Sequence, residues 1–448
     1  MRGVPRGLLF PGDPGVPENG VNANYRDFEP RVGFAWDVTG DGKTSLRSGA
    51  GMFYDSRMMA GFMNAVTTNT PFSPTVSITT PQGPFSNPYF GITNPFPEPV
   101  PVPKTAAFPL PVVVVTFDPS GNYKVPVTYN WNLTVERQLA KDWMAHVSYV
   151  GSHSSHVATS LQLNPAVYTP GSTLSTDQRR IFQSFSGITV DSQAVNGDYG
   201  SLQAGFEKRL SRGFTILTNY TFSKSLDNLP YGQSVTGPGP NASGTVYPWY
   251  FPKADALDYG RSDFDRRQRF VISYVWQLPT LRSAGKLVRA VFGDWQMNGV
   301  FQAQTGDPLT VKSGKDQSQT GIGGDRALLI GPALGPGACS SAPCVNYLTP
   351  GSFAQPPSAS VASSYISSFG NFGKGAVSGP GMATWDVGLF RSVSFNERLS
   401  LQLRGEFFNV LNRANFSDPV TTVSSGGFGS ITGAGDPRIG QVALKILF

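Results

Sequence analysis

Apolar and polar residues alternate with a period of two along much of this chain, and helical periodicity is almost nowhere to be found. The clearest stretch is "TYNWNLTVERQL", where Tyr129, Trp131, Leu133 and Val135 alternate with Asn130, Asn132, Thr134 and Glu136. Ten further segments read the same way. In chain order the eleven begin at "PRVGFAWDV" (Val32, Phe34, Trp36), "SLRSGAGMFYD" (Leu46, Met52, Tyr54), "TYNWNLTVERQL", "WMAHVSYVGSH" (Trp143, Ala145, Val147, Tyr149) and "YGSLQAGFEKRL" (Leu202, Ala204, Phe206). They continue through "FTILTNYTFSKSL", "RRQRFVISYVWQLP", "DWQMNGVFQAQTG", "TWDVGLFRSVSF" and "RLSLQLRGEFFNVLN". The last is "RIGQVALKILF", with Gly440, Val442, Leu444, Ile446 and Phe448 in one series and Gln441, Ala443, Lys445 and Leu447 in the other.

The connections alternate too. "TGDGKT", "AKD", "SRG" and "NE" are tight, and "TLRSAGKLVRAVFG" is moderate, whereas the intervening connections run from about two dozen to about seventy residues, far above hairpin length. In an up-and-down antiparallel sheet, successive connections fall on opposite edges, so one edge is trimmed and the other elaborate. Membrane β-barrels have this asymmetry, while sandwiches carry loops at both ends. The apolar series is rich in aromatics near strand ends, as interfacial girdles require, and the other series carries Asn, Gln, Thr, Glu and Arg, as a wet lumen would. Strands of roughly 9–14 residues suffice to cross a bilayer at a tilt. Trp143, Trp295, Trp385, Tyr54 and Phe448 are the expected membrane-interface aromatics. With short turns on the periplasmic side, Phe448 falls at the inner rim.

Composition sharpens this picture. Only 14% of residues are charged, against roughly 25% in an average soluble protein, and 12% are aromatic, with 51 Gly and 37 Pro. Disordered chains are charged and aromatic-poor, so long Gly/Pro/Ser-rich loops between strands are the better reading. The net charge of +6 is dispersed, without the clustering of a nucleic-acid footprint. No stretch of about 18 apolar residues is present, and "PLPVVVVTF" is too short for a membrane helix. The start has no apolar core of the kind a signal peptide needs.

Candidate chemistry is sparse. Cys339 and Cys344 in "CSSAPC" lack the further ligands of a metal site, and a small loop disulfide in an oxidising compartment fits them better. His153 and His156 lie three apart in "HSSH", on opposite faces of a regular strand, and His146 falls on the polar series. "GIGGD" (Gly321 to Asp325) lacks the Lys-Ser/Thr of a phosphate loop and reads as a plain loop. "DFDRRQR" reads as a salt-bridged rim in preference to a Ca²⁺ site at Asp263 and Asp265. No nucleophile–base pair follows from spacing, so neither an enzyme nor a cofactor is expected.

Several segments then carry a resemblance. "RDFEPRVGFAWDVTGDGKTSLRSGAGMFYD", "GDYGSLQAGFEKRLSRGFTILTNYTFSKSLDN", "DYGRSDFDRRQRFVISYVWQLP", "RGEFFNVLNRANF" and the terminal "KILF" resemble, in order, segments of TonB-dependent outer-membrane transporters of the Oar-like type. The resemblance implies an all-β, antiparallel up-and-down transmembrane barrel of about 22 strands, of which eleven are present as a partial, open barrel. It also implies a plug, a TonB-type energy transducer, outer-membrane lipid and the outer-membrane assembly machinery as partners, the last reading Phe448 as an assembly signal. Nucleic acid is not among them. Residues 1–28 are then expected to be an extracellular loop remnant, and 29–448 the C-terminal half of the barrel. No plug-like region or coupling box is recognisable, and the chain reads as a C-terminal fragment whose Met1 is an internal start or an assembly break. Expected function is uptake of a large or scarce ligand across the bacterial outer membrane, with the loops after the second and eighth strands as ligand surfaces. A passive porin-like channel and a secreted β-rich binding protein are the alternatives.

Overall fold

The computed structural model describes residues 4–55, 69, 82–92, 108, 110–117, 123–229, 247–251, 254–281, 283, 285–335, 346–362, 367–396 and 399–448. One antiparallel sheet organises them. Its main path takes β1 (Arg31–Asp37), β2 (Thr44–Tyr54), β4 (Val127–Ala140), β5 (Trp143–Gln162), β6 (Phe185–Ser211), β7 (Phe214–Asp227), β9 (Gln268–Gln277), β10 (Trp295–Gln304), β15 (Met382–Ser394), β16 (Ser400–Phe408) and β17 (Ile439–Leu447), each beside the next. These are the eleven strands that alternation predicts. The sheet is not closed: among the described residues β1 and β17 each have one neighbour, β2 and β16.

Register carries the side-chain period from β1 across to β15. Trp36 lies beside Leu46, and the row continues through Val135, Val147, Ala204, Tyr220, Phe270 and Ala303 to Ala383. One residue along, Ser45, Glu136, His146, Gly205, Asn219, Val271, Gln302 and Thr384 form a row on the opposite face. A one-residue slip at any pairing would interchange the faces. Among the described residues the apolar face has no second layer packed on it. Phe34, Trp36, Leu133, Val147, Leu202, Phe222, Val442 and Leu444 are all exposed.

All the short connections fall at one end. At the β6–β7 hairpin, Arg212 (φ 52°) and Gly213 (φ 75°) take the paired left-handed conformations of a two-residue turn, which twists with its strands. In the β1–β2 turn Asp37 accepts the Gly40 and Gly42 amides at 3.0 and 2.8 Å. A helix, Lys286–Phe292, fills the moderate β9–β10 connection. Where a Cβ would collide, glycine admits a ring: Trp131 lies over Gly151 on the apolar face, and His146 over Gly205 on the polar one.

Two expectations need correction. β5 and β6 are 20 and 27 residues long rather than 9–14, because they run on beyond the alternating segment through two irregularities in register. Their extensions bury Thr159, Ser160, Gln162 and Thr189, so no apolar series marks them. The apolar run before Phe117 is β3 (Val112–Phe117), paired parallel to the β6 extension. The remaining short strands are β8 (Gly260–Arg261), β11 (Pro308–Leu309), β12 (Leu328–Leu329), β13 (Phe353–Ala354) and β14 (Val377–Ser378). β8 pairs with β7, and the others pair within the long loops.

Candidate functional site: the polar wall and the loop cap

The polar face is laced by hydrogen bonds. Across strands, Thr128 meets Ser154 and Thr134 meets Ser148, hydroxyl to hydroxyl, both at 2.9 Å, and Gln441 donates to Glu406 at 2.6 Å. Along β16 the Arg404 Nε–H donates to Gln402 at 2.6 Å. Between β7 and β16 this face opens into a trough of about 320 Å³, lined among others by Ser273, Asn298, Asp386 and Glu406 together with Leu217, Val275, Val300 and Phe408. The polar series is thus interrupted by an apolar strip on the β7–β10 wall. A surface of this kind offers hydrogen-bond donors, acceptors and apolar contact to a passing or resident partner.

At the other end of the strands the long loops assemble into a cap with its own interior. Leu309, Val311, Ala327, Leu348, Phe353 and Phe372 form one buried cluster, and Tyr168, Tyr247, Phe251 and Phe369 another. Val4, Leu8 and Phe10 pack on a third, around Phe108, Val112, Val114 and Phe185. Ion pairs join loop to loop. Arg326 binds Asp258 at 2.8 Å with both side chains buried, and Lys374 binds Asp227. Asp265, fully buried, accepts from Arg261 Nε and from the Ser225 amide, both at 2.8 Å. Arg266 pairs with Asp307. The Tyr168 hydroxyl donates to Ser368 at 2.9 Å. A buried pair is costly to form and more costly to break on one side only, so these contacts hold the cap in one arrangement. Burial pushes the Asp325 carboxyl up to about 7, with the charge of Asp316 acting in the same direction and the Ser318 amide against it.

The five aromatics singled out from sequence all fall on the apolar face. Trp143, Trp295 and Phe448 stand at the short-turn end; Tyr54 and Trp385 stand toward the cap. The indole of Trp385 donates to the Tyr274 hydroxyl at 3.2 Å and that of Trp295 to the Val291 carbonyl at 2.9 Å. Sequence reasoning missed Lys208, which lies beside Trp143 on the same face. Its ammonium turns into the hairpin, donating to the Phe214 carbonyl at 2.8 Å and to the Ser211 hydroxyl and carbonyl at 2.8 and 3.0 Å. A cation is tolerated beside apolar side chains when the backbone supplies its acceptors.

His153 is held by Asp198 at 2.7 Å on one ring nitrogen and Ser155 at 2.9 Å on the other, a half-exposed clasp where β5 and β6 leave the regular register. His156 sits at that irregularity with φ 58°. The salt-bridged rim expected of "DFDRRQR" is present, and Asp265 is its centre. Among the described residues no group of three or more His, Cys, Asp or Glu side chains converges. Cys339 and Cys344 lie outside the described residues, as does most of the loop after β2. Most of the loop after β10 is described, and it supplies the larger part of the cap.

A family model described as an outer membrane beta barrel domain matches residues 2–441. A comparison with curated proteins finds no match. Among solved structures, the chain is similar to the outer membrane transporter YddB of Escherichia coli (13% identity, TM-score 0.48, covering 94% of this chain and 40% of that one). It is similar to the ferric enterobactin receptor PfeA of Pseudomonas aeruginosa in a mutant form (10%, 0.43, 94% and 40%). A third likeness is to FpvA of Pseudomonas aeruginosa bound to a heterologous pyoverdine (10%, 0.41, 94% and 32%). The chain spans 32–40% of the length of these three.

Proposed function

The chain belongs to the outer membrane beta barrel domain family and is a protein of the bacterial outer membrane; on that premise we propose that it forms part of the wall of a TonB-dependent transporter that takes up a large or scarce ligand. One observation carries the reading. The sheet separates an apolar, aromatic-bearing face from a predominantly polar one across its main path, and gathers its short turns at one end. In hydrocarbon the backbone must be fully paired and apolar side chains must face outward. Residues 29–448 are read as the C-terminal half of the barrel, with 1–28 as part of an outer loop.

On this reading Trp143, Trp295 and Phe448 sit at the periplasmic interface and Tyr54 and Trp385 toward the outer one. Phe448 also serves as the signal for the assembly machinery. The trough on the polar wall faces a plug, the plug engages a TonB-type energy transducer, and the cap with the loop after β2 meets the ligand. The similar structures include FpvA in complex with a pyoverdine and Fe and a ferric enterobactin receptor, and an iron-chelate is the first ligand class to try.

The test compares ligand accumulation in cells carrying the complete reading frame, with and without the inner-membrane transducer. Accumulation that stops when the transducer is deleted supports the reading. Stepwise conductance of the purified protein in planar bilayers, with uptake indifferent to the transducer, overturns it in favour of a passive channel.

A further inference from the structure

The cap contains a pair of carboxylates that no ion pair above accounts for. They belong to the Gly-rich segment Lys312 to Arg326, which the sequence marks as a loop without a phosphate-binding pattern. Asp316 and Asp325 converge on Ser318. The Ser318 amide donates to Asp325 Oδ2 at 2.7 Å, and its hydroxyl donates to Asp316 Oδ1 at 3.2 Å. The amides of Thr320 and Gly321 donate to Asp316 at 3.2 and 2.9 Å. The Ser318 and Thr320 hydroxyls lie 3.1 Å apart. Ser318, Thr320 and Asp325 are fully buried, and Asp325 Oδ1 has no hydrogen-bond partner.

A fully buried carboxylate oxygen without a donor carries its whole desolvation penalty. No neighbouring arginine donates to either carboxylate. Arg326 binds Asp258 and the Phe372 carbonyl through its terminal nitrogens and leaves its Nε without a partner, Arg179 binds the carbonyls of Val167, Leu174 and Gln319 within reach of the Asp316 charge, and Arg180 binds Asp177 and the Asn164 carbonyl. The side chains gathered around Ser318 are oxygen donors, two carboxylates and two hydroxyls. We propose that Asp316, Ser318, Thr320 and Asp325 bind a hard divalent cation of the calcium class. Calcium accepts six to eight oxygens in flexible geometry and completes its shell with carbonyls and water, whereas magnesium demands a near-octahedral set and gives up water reluctantly.

The segment is also a junction. Ala166 donates to the Thr320 carbonyl at 2.8 Å, Arg179 to the Gln319 carbonyl at 2.6 Å, and Ala359 to the Gln317 carbonyl at 2.7 Å. A cation bound here therefore pins the loop after β5 to two parts of the loop after β10. With two carboxylates, affinity falls in the extracellular class, a Kd on the order of 10⁻⁴ to 10⁻³ M. The proposal stands apart from the transport reading, and its failure leaves the barrel assignment untouched.

The test titrates CaCl₂ or MgCl₂ into the purified full chain in detergent micelles and follows the rate of tryptic cleavage after Lys312 and Lys315. Calcium at ten times Kd is expected to slow cleavage roughly tenfold by mass action on the closed form, with magnesium inert. Asp325→Asn, compared with and without calcium against its own basal cleavage rate, should lose the calcium response; Ser318→Ala should weaken that response. Cleavage indifferent to calcium at 10 mM, an equal effect of magnesium, or an undiminished response in Asp325→Asn each overturns the proposal.

Discussion

The strand wall and the loop cap dispose of their apolar residues in opposite senses. On the wall Trp36, Leu133, Val147 and Phe222 point outward and are exposed. In the cap Leu309, Val311, Leu348 and Phe369 are wholly enclosed. Ionic groups are inverted as well. The cap buries Asp258 against Arg326, while the apolar face of the wall admits Lys208 only by turning its ammonium into a hairpin. One chain thus follows two solvation rules that change at the strand ends, which is what two different solvents require. The wall is organised for hydrocarbon outside, and the cap is organised as a small water-soluble protein is, around an interior of its own.

This contrast can be broken from either side. The largest effect is expected in the cap. Asp258→Ala strands a buried guanidinium, at a cost of about 3–5 kcal/mol, and should open the long loops to protease while leaving the heat-modifiable gel mobility of the wall unchanged. A wall that melts together with the cap would show that the two are one cooperative unit. Next comes the wall itself. Leu133→Arg places a cation mid-strand on the apolar face and should cost about 2–4 kcal/mol, read as a lowered urea midpoint in micelles. Its neighbour Asn132→Arg, on the polar face, should stay within about 0.5 kcal/mol. Equal effects at the two positions would contradict the assignment of faces.

Gly205→Val tests the contact between His146 and the bare backbone it covers. A side chain there meets the imidazole ring, and overpacking should cost about 1–3 kcal/mol. Adding His146→Ala should recover most of it, since the ring is what the new side chain meets. The smallest effect is expected at the hydroxyl pair Thr134–Ser148. Thr134→Ala should lower the urea midpoint by the equivalent of about 0.2–1 kcal/mol, and no more when Ser148→Ala is already present.

Period-two alternation made the wall legible because each strand there separates two environments, so eleven segments and their faces could be read without any tertiary information. It failed where both faces of a strand became protein. The extensions of β5 and β6 bury Thr159, Gln162 and Thr189, and β3 is a run of valines with no polar partner series. The cap was illegible for a different reason. Asp258 and Arg326 are 68 residues apart, and Asp227 and Lys374 are 147 apart. Nothing local distinguishes them from solvated loop charges. The signal that survives is weak: "DFDRRQR" has its acids and bases clustered, and Asp265 proved to be the centre of that cluster.

The two edges of the sheet bear on how a cylinder could be completed. β1 and β17 both run from the loop end toward the short turns, since the main path from one to the other has eleven members and each reverses the last. Joining them directly would therefore make a parallel seam, and so would setting two copies side by side in one orientation. Only an odd number of intervening strands lets every neighbour run counter to the next, so the partner for these edges is defined by arithmetic before any side chain is considered.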